Sequence, residues 1–342
     1  MRSLWGKAPF EFQLREIPTP EPGPGEVVVR VTACGICGTD LHFLRHNQDW
    51  TPLGHEVAGT IAAVGPQVTA WRGGEAVIVE NNTGCGVCEQ CKNGRALYCQ
   101  NIITYMNDRA GFADFLRVQA DMVQAYNAQA LEPHQASLSE PLTVALDLLQ
   151  RADPDFSDEV AVFGPGPIGL MLTRLARLRG ARRVFLTGSN RTTPRGRHRL
   201  EVGERMGADM TLAEAEDDIL AALKTAVPNG LDRVLVTSPP RTLPLAFEIA
   251  RFGAIIGLIG IEFGSGEDVT FDANAFHFKK LQLRASHAIP NHYFPMAVDL
   301  LARRVVDPDL LVSHIFSLDQ SKAAFQTLTD PEQAGVKVVI TL

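Results

Sequence analysis

The sequence predicts an α/β fold in two domains, one rich in β-structure and one built as a doubly wound parallel sheet. Three observations carry that reading. Val160-Ala161-Val162-Phe163, a β-branched and aromatic run, breaks into Gly164-Pro165-Gly166-Pro167-Ile168-Gly169 and then into residues 170–178, whose apolar positions recur at helical spacing. A second strand pattern, Arg183-Val184-Phe185-Leu186-Thr187, follows directly and completes a strand–turn–helix–strand unit. The stretch ahead of this unit reads mostly as strands and turns, and it holds all six cysteines, between residues 34 and 99.

In such a unit Gly164 permits the turn, Gly166 lets backbone approach a pyrophosphate, and Gly169 lets the helix pack closely on the strand. The helix N-terminus, where Pro167 and Ile168 stand, supplies oriented N–H groups and positive potential. Gly-x-Gly-x-x-Gly alone is a weak signal. The flanking elements make it a dinucleotide site rather than the glycine-rich turn of an ordinary α/β domain.

A chain of 342 residues is long enough for two separate cores. Apolar residues at 45% and charged residues at 21% are the proportions of a soluble globular enzyme. A formal net charge of −7 argues against a nucleic-acid or anionic-membrane partner, because a phosphate surface selects for basic residues. No stretch approaches the roughly 20 apolar residues of a membrane span, and no long apolar run follows Met1-Arg2-Ser3-Leu4-Trp5-Gly6-Lys7, so no signal peptide is expected. The expected location is the cytoplasm. Cysteines confined to one third of a large chain favour metal ligation over a disulfide framework.

From the N-terminus, Phe10-Glu11-Phe12-Gln13-Leu14 alternates as a strand, Pro18, Pro20, Pro22 and Pro24 make a stiff connector, and Glu26-Val27-Val28-Val29-Arg30-Val31 is a strong strand. Ala33-Cys34-Gly35-Ile36-Cys37-Gly38-Thr39-Asp40-Leu41-His42 crowds chemistry-bearing side chains at that strand's end, although a turn with buried thiols would read the same way. Pro52-Leu53-Gly54-His55-Glu56 then sets an imidazole beside a carboxylate ahead of the strand Thr60-Ile61-Ala62-Ala63-Val64. Cys37, His55 and a carboxylate form a mixed S/N/O set suited to zinc, with one position left for water or substrate. Cys85, Cys88, Cys91 and Cys99 are separated by two, two and seven residues, a spacing that wraps one tetrahedral ion in a closed, structural site. Iron–sulfur ligation, a redox thiol pair and a nucleic-acid zinc ribbon are the rival readings; the acidic balance weighs against the last.

These motifs, in this order and with Ser139-Glu140-Pro141-Leu142 between the cysteine lobe and the glycines, resemble the zinc-containing medium-chain dehydrogenase/reductase family over nearly the whole chain. Within it the sequence is most similar to the polyol branch of sorbitol, sugar and threonine dehydrogenases. The resemblance implies a GroES-like β-rich catalytic domain, residues 1–145 completed by 287–342, and a doubly wound Rossmann domain, residues 146–286, with the active site in the cleft between them. It implies two zinc ions per chain and a homo-oligomer, a dimer or tetramer. Cys37 and His55 match first-shell zinc ligands of the family; Glu56 and Glu140 match carboxylates that can alternate with water on the metal. Thr39 and His42 match the hydroxyl and imidazole that family members use to move the released proton towards solvent. Cys34 is left over as a buried small side chain, and Asp114 has no assigned role.

A Rossmann unit that prefers NAD usually places an acid at the end of its second strand, some 20 residues past the glycines. Here that strand ends Leu186-Thr187-Gly188-Ser189-Asn190-Arg191. A carboxylate there would repel a 2′-phosphate, whereas Ser189 and Arg191 offer a hydroxyl and a guanidinium suited to phosphate oxygens, so NADP is the expected cofactor with NAD possible. The alternative for this segment is a solvated basic loop. Further strands are expected over 231–238, 254–260 and 281–286, a helix over 293–304 and a closing strand over 336–340. The expected reaction is reversible oxidation of a secondary alcohol in a polyol or sugar. An amino-alcohol such as threonine is the runner-up, which loses ground because threonine-type relatives tend to carry a histidine where this chain has Asn81-Asn82-Thr83-Gly84. Substrate contacts are expected on residues 44–51 and 285–292.

Overall fold

A computed structural model describes residues 1–262, 266–290 and 292–342. The chain divides into two compact units. The first comprises Met1–Thr143, Ile289–Asp330 and Lys337–Leu342, and the second Val144–Ala288 and Pro331–Val336. The sequence reading assigned 331–336 to the first unit. Arg195 N–H donates to the Pro331 carbonyl at 3.1 Å and Arg199 Nε to the Gly335 carbonyl at 2.8 Å, bonds that tie the segment to the helix Pro194–Arg205.

The first unit is β-rich because its strands alternate branched residues with polar ones, so that one face of each is buried. Its largest sheet orders Val123–Ala125, Ala76–Val79, Glu56–Val64, Glu26–Gly35, Lys337–Thr341 and Val312–Ser317, with Phe115–Gln119 also pairing Glu26–Gly35. Glu26–Gly35 runs four residues beyond the expected strand, and its register sets Gly35 opposite Glu56 and Cys34 opposite Val57. That pairing brings the two chemistry-bearing segments side by side. A core of Val27, Val29, Val31, Val57, Ile61, Phe112, Leu116, Phe325 and Ile340 fixes it. Cys34 lies in that core with no exposure, where burial pushes its thiol up. Asp114 accepts from Arg2 Nη2 at 2.8 Å and so fastens the first strand, Arg2–Lys7. Leu44, expected among the substrate-contacting loops, ends instead in the core, because residues 44–46 complete the helix Gly38–His46 and its apolar face turns inward. Asn291, in the other expected contact segment, lies outside the described residues.

The second unit is an open parallel sheet in the order Met210–Ala213, Arg183–Gly188, Glu159–Phe163, Leu231–Val236, Ala250–Leu258 and Gln282–Ala285. Strand order reverses at Glu159–Phe163, the first strand of the unit, which is the topological switch point where open α/β sheets bind ligands at their carboxyl ends. The helix Pro167–Leu178 buries Leu170, Met171, Leu172, Leu175 and Ala176, as its spacing predicts. Among the described residues no helix is long and apolar enough to cross a membrane.

Candidate active site

Cys37 is the N-cap residue of Gly38–His46, where Asp40 in the first turn accepts from the Cys37 N–H at 2.9 Å. The same carboxylate accepts from Gly54 N–H at 2.8 Å and lies 3.8 Å from His55 Nδ1. Asp40, wholly buried, therefore couples the segment bearing Cys37 to the segment bearing His55 and leaves Nε2 as the ring nitrogen facing away from it. Gly54 has φ +89°, and a Cβ there would fall 2.7 Å from Phe112, so only glycine passes the chain into His55. Glu56 opens the next strand with no exposure, and both its oxygens accept from Lys337 Nζ, at 2.6 and 2.7 Å. Lys337 also donates to the Ile36 carbonyl at 3.1 Å.

The ligand atoms of Cys37, His55 and Glu56 all lie within 4.8 Å of one another. Glu140 falls outside that set: it is buried in the first turn of Ser139–Ala152 and accepts from Asn81 Nδ2 at 2.8 Å, with Asn82 behind Asn81. Burial by itself pushes the His55 imidazole down, yet Cys37, Asp40 and Glu140 outweigh it and hold the ring well above its ordinary value. Such a surplus of negative donors fits a divalent cation, and the S/N/O mixture fits zinc. Thr39 Oγ1 lies 3.7 Å from Cys37 Sγ; His42, one turn further along the helix, packs its ring 4.5 Å from that of His46.

Cys85, Cys88, Cys91 and Cys99 form a second set whose sulfurs lie within 4.8 Å of one another, and none of the six cysteines is in a disulfide. The backbone N–H groups of Val87 and Cys88 hold the Cys85 thiol down at about 6, while burial and the neighbouring sulfurs push Cys91 up to about 12. Four such thiols ionise together only around a cation, which is the condition a tetrahedral zinc site meets.

In the second unit Gly164 has φ +104°, and a Cβ on Gly169 would lie 1.9 Å from the Gly164 carbonyl oxygen. Gly166 caps the helix, and a Cβ there would meet nothing within 4 Å. That open backbone at a helix N-terminus is what a pyrophosphate requires. Gly188 is fixed by packing, since a Cβ would come within 3.1 Å of Pro165 and 3.2 Å of Leu200. Ser189 follows it; Arg191 stands two residues on, with its guanidinium on Asp217 and Thr211.

Residues 23–127 match the family profile "Alcohol dehydrogenase GroES-like domain" and residues 167–303 match "Zinc-binding dehydrogenase". An L-threonine 3-dehydrogenase of Pyrococcus horikoshii is 32% identical over 78% of this chain and 77% of its own. The chain belongs to the zinc-dependent medium-chain dehydrogenase/reductase family. It is an oxidoreductase of that type, with zinc and a nicotinamide dinucleotide as its cofactors. A sorbitol dehydrogenase of Bacillus subtilis is 29% identical over 96% of this chain and 94% of its own. A zinc-binding dehydrogenase of Sinorhizobium meliloti bound to NADP is similar in structure, with a TM-score of 0.87, 28% identity and 100% and 99% of the two chains covered.

For a medium-chain dehydrogenase the sequence reading left out Asp40, Asn81 and Lys337. Asp40 had a local signal, since Cys-x-x-Asp at a helix start is a capping arrangement. Lys337 had none: a lysine in a closing strand reads as solvent-facing, and its partner lies 281 positions away.

Proposed function

We propose that the chain reversibly oxidises a secondary alcohol of a polyol or sugar, with NADP as hydride acceptor and NAD as the second choice. The observation that carries this is the convergence of Cys37, His55 and Glu56 within 4.8 Å, with Glu140 buried nearby as a further carboxylate. Zinc held by Cys37, His55 and a carboxylate of Glu56 or Glu140 supplies Lewis-acid polarisation of the substrate hydroxyl, and the dinucleotide supplies the hydride acceptor. Asp40 fixes the His55 ring through charge and through the two backbone N–H groups it accepts from. Thr39 and His42 lie on the helix that begins at Cys37, so the hydroxyl takes the released proton first and the imidazole passes it outward. The Gly164–Gly169 turn binds the pyrophosphate, and the Cys85–Cys99 lobe holds a second, structural zinc.

The sorbitol dehydrogenase relative supports the polyol substrate; the missing acid at the end of Arg183–Gly188 and the NADP-bound relative support NADP. An amino-alcohol substrate is the second reading, favoured by the L-threonine 3-dehydrogenase relative. We place the enzyme in the cytoplasm as a homo-oligomer, a dimer or tetramer, without nucleic-acid or membrane partners; six unpaired thiols and a net charge of −7 suit that setting. The test is a panel of polyols, aldoses and threonine assayed with each cofactor, alongside zinc content. Highest kcat/KM on a polyol with NADP and two zinc ions per chain is the expected result. Preference for threonine selects the second reading, and zinc-free protein without turnover of any alcohol overturns both.

A further inference from the structure

We propose that Asp217 is a specificity residue of the dinucleotide site: by holding Arg191 it withholds the guanidinium from a 2′-phosphate and keeps NAD competitive with NADP. The proposal rests on the dinucleotide reading above and concerns residues of the second unit alone. The strands Arg183–Gly188 and Met210–Ala213 are paired in parallel with Gly188 opposite Ala213, so the segment after Ala213 runs alongside the segment after Gly188. Glu214 N–H donates to the Gly188 carbonyl and Ala215 N–H to the Ser189 carbonyl, both at 2.9 Å. The end of the second strand, which lacks an acid of its own, is thus flanked by Glu214, Glu216 and Asp217 from the neighbouring strand.

Arg191 is the cation best placed to answer a phosphate there, and it is already engaged. Its Nη1 donates to Asp217 Oδ2 at 2.6 Å, and its Nη2 to the Thr211 carbonyl and, at 3.1 Å, to Thr211 Oγ1. Its backbone N–H donates to the Glu216 carboxylate at 3.1 Å. Asp217 is pinned in turn, because the same Oδ2 accepts from Ala213 N–H at 2.7 Å. That N–H and the guanidinium hold its carboxyl below the usual range, so it stays anionic at neutral pH. A guanidinium fork answers one planar anion at a time. Binding a dianionic 2′-phosphate through Arg191 therefore means giving up Asp217 and facing three carboxylates, of which Glu214 is partly offset by Arg241 at 3.8 Å. An uncharged 2′-hydroxyl meets neither obstacle.

The test is fluorescence titration of the purified protein with NADH and with NADPH, in the absence of substrate. D217N keeps the side-chain shape and an acceptor for Ala213 N–H while releasing Arg191. It is expected to tighten NADPH by about five- to tenfold and to change NADH by less than about twofold, the scale of one exposed ion pair plus one removed like charge. R191A alone is expected to change NADPH binding little, whereas R191A in the D217N background erases the gain; that non-additivity separates release of Arg191 from simple removal of a negative charge. An unchanged NADPH-to-NADH ratio in D217N, or a gain that survives R191A, overturns the proposal while the dinucleotide reading stands. Failure of the parent protein to bind either nucleotide overturns both.

Discussion

Lys337 and Glu56 bury opposite charges within 2.6 Å of one another, neither more than 3% exposed, beside two thiol- and imidazole-bearing ligands. Removing one partner of such a pair leaves the other charged in a low dielectric, which costs about 3–5 kcal/mol. K337M is therefore expected to lose that much stability in zinc-free protein, read as a fall in the denaturation midpoint. Added zinc restores more of the loss in K337M than it adds to the parent, because Glu56, no longer held by the ammonium, is free to neutralise itself on the ion; K337R keeps parental behaviour. Equal stabilisation of parent and K337M by zinc would disprove the coupling. At this scale the site was only half legible in the sequence. Cys37 and His55 announce themselves because thiol and imidazole are rare and chemically committed side chains. The groups that set their charge and orientation are ordinary: Asn81, holding Glu140, reads as a turn residue, and Lys337 as surface. What makes them functional is burial and a partner distant in sequence, and neither is encoded locally.

The cysteine lobe shows what an element looks like when no core supports it. Its helix, Glu89–Lys92, and its 3-10 turn, Ala96–Tyr98, contain no buried residue, and helices this short do not stand alone in water. Four sulfurs within 4.8 Å are what remains to order them. Stripping the ion with a chelator, or replacing Cys99 by Ser, is expected to accelerate proteolysis between residues 85 and 99 by at least about tenfold, given that structural zinc contributes of order 10 kcal/mol to comparable peptides. An unaltered cleavage rate would mean that the lobe is held by something other than metal. Elements of the second unit were legible because period speaks directly: branched residues for Glu159–Phe163, helical spacing for Pro167–Leu178, glycine for the turn. Elements of the first were legible in kind and blurred in extent. Glu26–Gly35 outruns its hydrophobic pattern because pairing with Glu56–Val64 carries it on through Ala33, Cys34 and Gly35. Gly38–His46 was hidden because nine residues built around Cys37, Asp40 and Leu44 serve a cap, a site and a core at once, and no single period emerges.

Across the whole molecule, pH acts on stability through carboxyls moved in opposite directions. Asp114, beside Arg2, and Asp309, beside Arg304, are held below their ordinary values, so what they contribute is present above the usual carboxylate range and is lost as pH falls through their folded values. Glu80, half-buried just past the strand Ala76–Val79, is moved the other way: burial first and Asp121 second raise it to about 7. Its folded form binds a proton more tightly than the unfolded chain does, so between about pH 4.5 and 7 stability falls as pH rises. The full shift corresponds to about 3 kcal/mol, and solvent reaching a half-buried group brings the expected effect to about 1–3 kcal/mol. E80Q, neutral at every pH, does not share this loss. Thermal melts of parent and E80Q are expected to differ least near pH 4.5 and to diverge as pH rises, with E80Q the more stable at pH 8. Parallel profiles, or a difference that grows towards acid, would show that the Glu80 carboxyl ionises freely in the fold and that the acidic limb set by Asp114 and Asp309 alone shapes the curve.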